Sequence, residues 1–534
     1  MKRKTLAFGI FFIFLVVGAC SVGWAQQVQG SFTGQVTDSS GAVIGGAQVT
    51  ALERDTGFTR SAATLADGSY IIPLLPPGHY RLEVQAAGFE KTMTGTVQLL
   101  VNAHLKIDFQ LKVGAQATTI TVSAPPTVLD TQSSSVGTTI EQGKVQQLPL
   151  NGRHFVELTL FTPGVVPAAG GSENSTRGGG INVNGLRESM NNYLLDGMSN
   201  TSMGVGQYVV TPPLDSVQEF RMETGMYDAR FGGQAGAQVN MVTRSGTNQL
   251  HGSLHEFLRN KVFDARNYFE PEVPPFVRNQ FGATLGGPIM LPRIYNGRDR
   301  SFFFLAFEEL RESRAFYNNY LVPTLAERGG DFSDLQGSDC AAPTVLLNPL
   351  ALLSGVVQPF TNINQVLPAP DPVGQALMNL YPMPNVTGAK CGDANFQAEG
   401  KRGIALPTYT ARVDHQWGTK DTMFFRFGQT LDHTFLPFGG GTLLPGYGQQ
   451  NRDGFMVAGV DWTHTFRRSV LNEFKFGYNR WKLDYNNQDQ GQQIAQQLGI
   501  LGLGTTLRET GVPNMNVGSY AASERTKVCR KPAR

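Results

Sequence analysis

Residues 454–484 read GFMVAGVDWTHTFRRSVLNEFKFGYNRWKLD, two strand-length runs joined by only Arg467-Arg468. Working outward, strands of the same kind are expected near 251–260, 277–291, 301–312, 405–417 and 421–433. Their short links are 292–300, around Asn296-Gly297, and Gly418-Thr419-Lys420; the long ones are 261–276, 313–404 and 434–453. Short turns alternating with long loops are the pattern of a transmembrane antiparallel β-barrel, turns on the periplasmic side and loops outside. Such strands work only inside a closed barrel, because lipid pairs with no backbone N–H or C=O. Phe302-Phe303-Phe304, Trp462, Phe474, Tyr478 and Trp481 are expected to supply lipid-facing or girdle aromatics.

Composition agrees with a large β-protein. Of 534 residues 62 are glycine, only 16% are charged and 41% are hydrophobic, with 34 phenylalanines against 4 tryptophans. The glycines keep no three-residue period, which excludes a collagen-like chain. The apolar content excludes wholesale disorder. With 44 basic and 42 acidic residues the net charge is +2, so no nucleic-acid partner is indicated.

The first 25 residues are an address. Lys2-Arg3-Lys4, an apolar run from Leu6 to about Ala19, and Gly23-Trp24-Ala25 make a secretory signal peptide cleaved after Ala25. Val17-Gly18-Ala19-Cys20 offers the alternative of a lipoprotein box lipidated at Cys20. Either reading exports the chain. In that setting Cys340 and Cys391, which flank a Pro-rich stretch, can form a disulfide if their backbones come close enough. Scattered cysteines without CxxC spacing make a poor zinc site.

Residues 28–112 alternate apolar and polar residues in short runs at 31–37, 47–53, 69–75, 79–86 and 105–111. Turns at Ser40-Gly41, Asp67-Gly68 and Pro76-Pro77-Gly78 separate them, as in a small β-sandwich. With Gly34, Gly41, Ala47, Asp67, Gly68, Tyr70 and Ala87-Gly88-Phe89 as landmarks, the unit resembles the carboxypeptidase regulatory-like family, a prealbumin-type sandwich. A zinc peptidase site would rest on His154-Phe155-Val156-Glu157 with His251 or His255 as third ligand. The glycine-rich short strands after 157 lack the α/β scaffold such a site needs, so no metal is expected. His251 and His255, four apart in a strand, share one face and read as pore-lining or interfacial residues.

Residues 113–127 form a linker carrying Thr118-Thr119-Ile120-Thr121-Val122-Ser123-Ala124, a β-prone segment before Pro125-Pro126. Unpaired, it can add as an edge strand to a partner protein. It resembles the TonB box of TonB-dependent outer-membrane transporters. Residues 128–248 resemble the plug domain of those transporters, in the Oar-like branch with an N-terminal regulatory-like sandwich. The resemblance rests on ordered blocks: Leu148 to Arg153, Thr162 to Val165, Val183-Asn184-Gly185-Leu186-Arg187 and Asn191-Asn192-Tyr193-Leu194-Leu195-Asp196-Gly197. Leu214 to Phe220, Tyr227 to Gly232 and Gly236 to Asn248 follow. Asn184, Gly185, Arg187, Asn192, Asp196 and Gly197 are taken as the plug motif. Phe263 to Asn267 and Arg278 to Gly282 resemble the start of the Oar-like barrel.

The fold expected is therefore mainly β: signal peptide 1–25, sandwich 28–112, linker 113–127, an α+β plug 128–248 and the first part of a barrel, 249–523. The resemblance implies about 22 strands, whereas roughly seven are legible, and an open sheet leaves edges in lipid. Residues 524–534, with five Lys or Arg in eleven, fit no strand. A truncated or frameshifted gene product is the expectation; a short protein completed by other chains is the alternative.

The resemblance implies a receptor in the outer membrane that takes up an unidentified extracellular ligand. TonB and its inner-membrane energising complex, outer-membrane lipid and the barrel-assembly machinery are the partners implied. No Walker A loop, GxSxG elbow or carboxylate pair stands out, so neither catalytic residue nor cofactor is expected. The alternative is a surface-displayed carbohydrate- or peptide-binding adhesion protein anchored by the barrel.

Overall fold

The computed structural model describes residues 29–114, 119–122, 135–148, 150, 152–168, 179–202, 204, 206–228, 231–266, 268, 273–336, 354–357, 371–438, 448–467, 470–500 and 510–511. The expected signal peptide and basic tail, together with Thr118, Ser123, Ala124 and Cys340, lie outside these residues.

The N-terminal unit is a two-sheet sandwich. One sheet sets Gly30–Asp38 between Ser69–Leu75 and the short strands His104–Lys106 and Phe109–Leu111. The other carries Thr59–Ala63, Gln48–Glu53, Gly78–Gln85 and Lys91–Thr94 in spatial order, and Thr119–Val122 closes its edge. Alternation places Phe32, Val49, Ile72, Tyr80, Leu82 and Val84 in the shared core, all fully buried. Gly34 is required by contact: a Cβ there would lie 1.9 Å from the Ile107 carbonyl oxygen. The strands at 59–63 and 91–94 were not legible in the sequence, being short and rich in Thr, Ala and Lys, and the strand at 97–99 has only three residues.

The plug is a five-stranded sheet in the order Val136–Glu141, Val217–Gly225, Gln238–Thr243, Asn192–Leu195, Met198–Ser199. One face packs on Phe155, Val156 and Leu158 of the helix Phe155–Thr159. There Phe155 meets Tyr208 edge-on at 4.8 Å between ring centroids, and Tyr193 meets Tyr208 at 5.5 Å. The opposite face is polar yet buried, with Glu219, Arg221, Glu223, Gln238 and Asn240.

Among the described residues seven long antiparallel strands follow as a meander, each paired with the next: β1 His251–Asn260, β2 Phe276–Pro288, β3 Ser301–Tyr320, β4 Phe396–Trp417, β5 Asp421–Leu436, β6 Gln449–Arg467 and β7 Val470–Lys482; the short strand Tyr485–Asn487 pairs with the start of β6. β3 runs to Tyr320 and β4 begins at Phe396, so the long loop is shorter than the expected 313–404. Residues such as Ser313, Arg314, Asn318 and Asn319 hid that extension, because polar strand ends carry no apolar run to read. Side chains alternate between a buried inner face and an outer face on which Trp462, Phe474 and Tyr478 are exposed. Phe302 and Phe304 correct the expectation for lipid-facing aromatics, since both are buried on the inner face. Trp481 likewise packs towards the plug core, 5.3 Å from the Phe455 ring.

The long-loop end has a small core of its own, where Val322, Tyr381, Phe396, Ala398 and Ile494 cluster. Arg328 ties it together by donating to the carbonyls of Pro323, Met378, Tyr381 and Pro382. The sandwich sits at the opposite end. Asn248 N–H donates to the Asp55 carbonyl, and Asn248 Nδ2 donates to Asp299 in the β2–β3 link.

Candidate functional site: the plug seated on the wall

The registers of the seven strands align one inward row: His251, Gly286, Phe304, Arg412, Arg426, Gly459 and Gly477. The plug meets this row with the turn Asp196-Gly197. Both residues have positive φ, 50° and 73°, the geometry of a tight two-residue hairpin turn between Leu195 and Met198. Only glycine, Asn and Asp adopt it readily, which explains the Asp-Gly pair.

The turn is locked by charge. Asp196 Oδ1 accepts from Arg412 Nη1 at 3.1 Å and from the Thr243 N–H at 2.9 Å, while Oδ2 accepts from Thr243 Oγ1 at 2.8 Å. Arg426 Nε lies 3.5 Å from Asp196 Oδ2, and Arg412 Nη2 also reaches Asp414 Oδ1 at 2.8 Å. Asp196 and Arg426 are almost wholly buried, so both charges depend on these partners. Beside the turn, Met198 fills the space left by two wall glycines. A Cβ on Gly459 would lie 2.0 Å from Met198 Sδ, and one on Gly477 would lie 3.3 Å from Met198 Cβ.

A second charged contact joins the plug to β1–β3. Arg153 Nη2 lies 2.9 Å from Asp215 Oδ2, and Arg153 Nε lies 3.5 Å from Glu308 Oε2. The two ring nitrogens of His255 lie 2.9 Å from Asp215 and 3.1 Å from Glu308. Gln280 donates to Glu308 Oε1 and to the Gly152 carbonyl. Asp215, His255 and Glu308 converge as three potential metal ligands within 4.8 Å, but the Arg153 guanidinium already supplies the cation. His154 and Glu157 are not among these three ligands.

The sandwich is joined to the polar face of the plug sheet. Both Glu219 carboxylate oxygens accept from Val101 N–H at 2.9 Å, Asn102 Nδ2 donates to Glu223, and Arg221 Nη1 donates to the Val101 carbonyl. Burial pushes the Glu219 carboxyl up to about 7, against the pull of the Val101 N–H and Arg221. A cavity of about 320 Å³ remains between the three units, bordered by Tyr80 of the sandwich, Arg244 of the plug and Phe424 of β5.

The residues expected from the sequence separate into three places. Asp196 and Gly197 lie on the wall. Asn192 is buried at the other end of the strand that leads into this turn, donating to Gln238 Oε1. Asn184 and Gly185 form another positive-φ turn at an exposed end, with Asn184 Nδ2 bonded to the Thr224 carbonyl, and Arg187 is exposed beside it. Thr119, Ile120, Thr121 and Val122 form a strand, but a paired one: they run parallel to Lys91–Thr94 in the sandwich. Cys391 is disulfide-bonded. Arg412, Arg426, Arg153 and Glu308 were missed by sequence reading. The alternation Arg426, Gly428, Thr430, Asp432, Thr434 against Phe425, Phe427 and Leu431 is the signal that marks the inner face.

Comparison with known proteins agrees with this architecture. Residues 242–531, more than half of the chain, match the outer membrane beta barrel domain family, and residues 31–112 match the carboxypeptidase regulatory-like domain. The chain is 27% identical over 275 residues to the TonB-dependent transporter Oar of Myxococcus xanthus, covering 48% of this chain and 24% of that protein. It thus spans about a quarter of that relative's length. Among solved structures, the outer membrane transporter YddB from Escherichia coli aligns at 9% identity with a TM-score of 0.41, covering 64% of this chain and 38% of that one. A mutant ferric enterobactin receptor from Pseudomonas aeruginosa, in complex with enterobactin, aligns at 13% identity and 0.39, covering 66% and 42%. The chain belongs to the outer membrane beta-barrel domain family, carries a carboxypeptidase regulatory-like sandwich at its N-terminal side, and is an outer-membrane protein.

Proposed function

We propose that this chain is a TonB-dependent outer-membrane receptor that takes up a ligand without covalent chemistry. The observation that carries the reading is a plug sheet held on the inner row of the wall by Asp196, Arg412 and Arg426, with a strand-forming linker segment just before it. An inner domain tied to the wall by a few ion pairs and a limited apolar contact is suited to being shifted by force rather than to catalysis. Its relationship to Oar, a TonB-dependent transporter, supports the same reading.

In this reading the short-link end of the wall faces the periplasm. The sandwich and residues 118–124 then lie where TonB, energised by its inner-membrane complex, can capture the segment by strand addition. Ligand enters from the long-loop side, and the barrel-assembly machinery inserts the wall. The test is binding of the TonB periplasmic domain to a peptide of residues 113–127. Binding that is lost in the Ile120→Pro peptide supports the reading; equal binding to a scrambled peptide overturns it.

A further inference from the structure

Thr119–Val122 is not an unpaired strand waiting for a partner. It pairs in parallel with Lys91–Thr94, in the register Thr119 to Lys91, Ile120 to Thr92, Thr121 to Met93 and Val122 to Thr94. The contact starts earlier in the linker. Phe89 and Val113 form an isolated bridge, and Gly114 N–H donates to the Gly88 carbonyl at 3.3 Å. Linker residues 113–114 and 119–122 therefore follow one sandwich edge from Gly88 to Thr94. That edge belongs to a folded unit, because Lys91–Thr94 is bonded on its other side to Gly78–Gln85. The sandwich is in turn fixed to the plug by Val101, Asn102, Glu219, Arg221 and Glu223, so it cannot simply drift away with the linker.

We propose that the sandwich is a holder for the TonB-binding segment: its Lys91–Thr94 edge occupies Thr119–Val122, and TonB engages the segment only by peeling it off. This deepens the function proposed above and rests on it. The physical basis is competition for one backbone. A strand bonded along a folded edge has lost half of its free N–H and C=O groups, and a segment that is to be pulled must first leave that edge. Parallel pairing over four residues is a weak contact, so the holder delays capture without forbidding it.

The test is a reversible lock on the full chain in detergent. Met93→Cys with Thr121→Cys places two thiols at directly paired positions, and each single variant serves as control. The probe is the TonB periplasmic domain, with the free peptide of residues 113–127 measured in parallel. The expected result is that the lock forms, that oxidation weakens TonB binding to the full chain at least tenfold, and that reductant restores the unlocked affinity. The free peptide is expected to bind at least several-fold more tightly than the unlocked chain. If the peptide binds but the oxidised chain binds equally well or better, the holder is overturned while TonB capture stands. If neither peptide nor chain binds, the functional reading fails and the holder with it. Failure of the two cysteines to join contradicts the pairing itself.

Discussion

Asp196 of the plug and Arg412 of the wall meet at 3.1 Å between Oδ1 and Nη1, although 216 residues of chain separate them. Arg426 stands 3.5 Å from the other carboxylate oxygen, so one plug carboxylate serves two buried guanidinium groups. Removing it leaves Arg426 without its carboxylate partner, whereas Arg412 keeps Asp414. Asp196→Asn keeps a residue that tolerates the positive φ and removes only the charge. Its expected cost is about 3–5 kcal/mol, the range for breaking one partner of a buried pair. Thermal unfolding in detergent measures it, and Arg426→Met in the same chain should recover a substantial part, because it removes the guanidinium left unpaired. A loss within about 0.5 kcal/mol, the usual range for surface changes, would contradict the contact.

Close approach makes a second prediction. Gly459→Val puts side-chain atoms where Met198 Sδ now sits, 2.0 Å from the ideal Cβ position. Overpacking of this kind costs about 1–3 kcal/mol. The plug should become more accessible to protease, and Met198→Ala should reverse most of the effect by vacating the space. Equal protease resistance in Gly459→Val and the parent chain would show that the plug does not sit against this row.

In the sandwich, Gly34→Ala is expected to destabilise more than an ordinary overpacked site, because the obstacle is the Ile107 carbonyl oxygen rather than a movable side chain. Loss of about 3 kcal/mol or more of sandwich stability is expected. Hydrogen exchange across Gly30–Asp38 reads it, and unchanged protection there would contradict the close backbone contact.

Acidity should tighten the sandwich–plug joint. Glu219 carries a carboxyl raised from its ordinary 4.5 to about 7 by burial, with Arg221 and the Val101 N–H opposing the rise and Glu141 adding to it. A raised carboxyl favours the docked state fully below pH 4.5, and that contribution declines as pH rises towards 7. Val101 amide protection should therefore be greatest near pH 5 and weaker at pH 8. Glu219→Gln should remove the dependence, leaving protection at pH 8 close to that at pH 5. Protection that strengthens with pH would reverse the sign and refute the account.

Much of this architecture is legible in the residues. The Gly-Thr-Lys link at 418–420 and the alternation in β5 both follow from local pattern, which fixes strand period and turn length. The Asp196-Gly197 turn is legible too, since few residue pairs accept two positive φ values. What stayed hidden depends on distant pairing. Nothing in Thr119–Val122 says that Lys91–Thr94 will take it, because an edge strand pairs through backbone that every residue carries alike. The two inward arginines share this difficulty: period 2 puts each on the inner face of its strand, but only the register of β4 on β5 sets them side by side at Asp196. Phe302 and Phe304 misled because three consecutive phenylalanines leave the choice of inner face open.

The most direct measurement is site-specific crosslinking in cells producing the full chain and TonB. Ile120→Cys is expected to form a disulfide with a cysteine placed in the TonB periplasmic domain, and Asn184→Cys, on an exposed plug turn, is expected to form none. Crosslinks at 120 that depend on an energised inner membrane would establish a TonB-coupled receptor. No crosslink at any position from 118 to 124, with the chain present in the outer membrane, would contradict it.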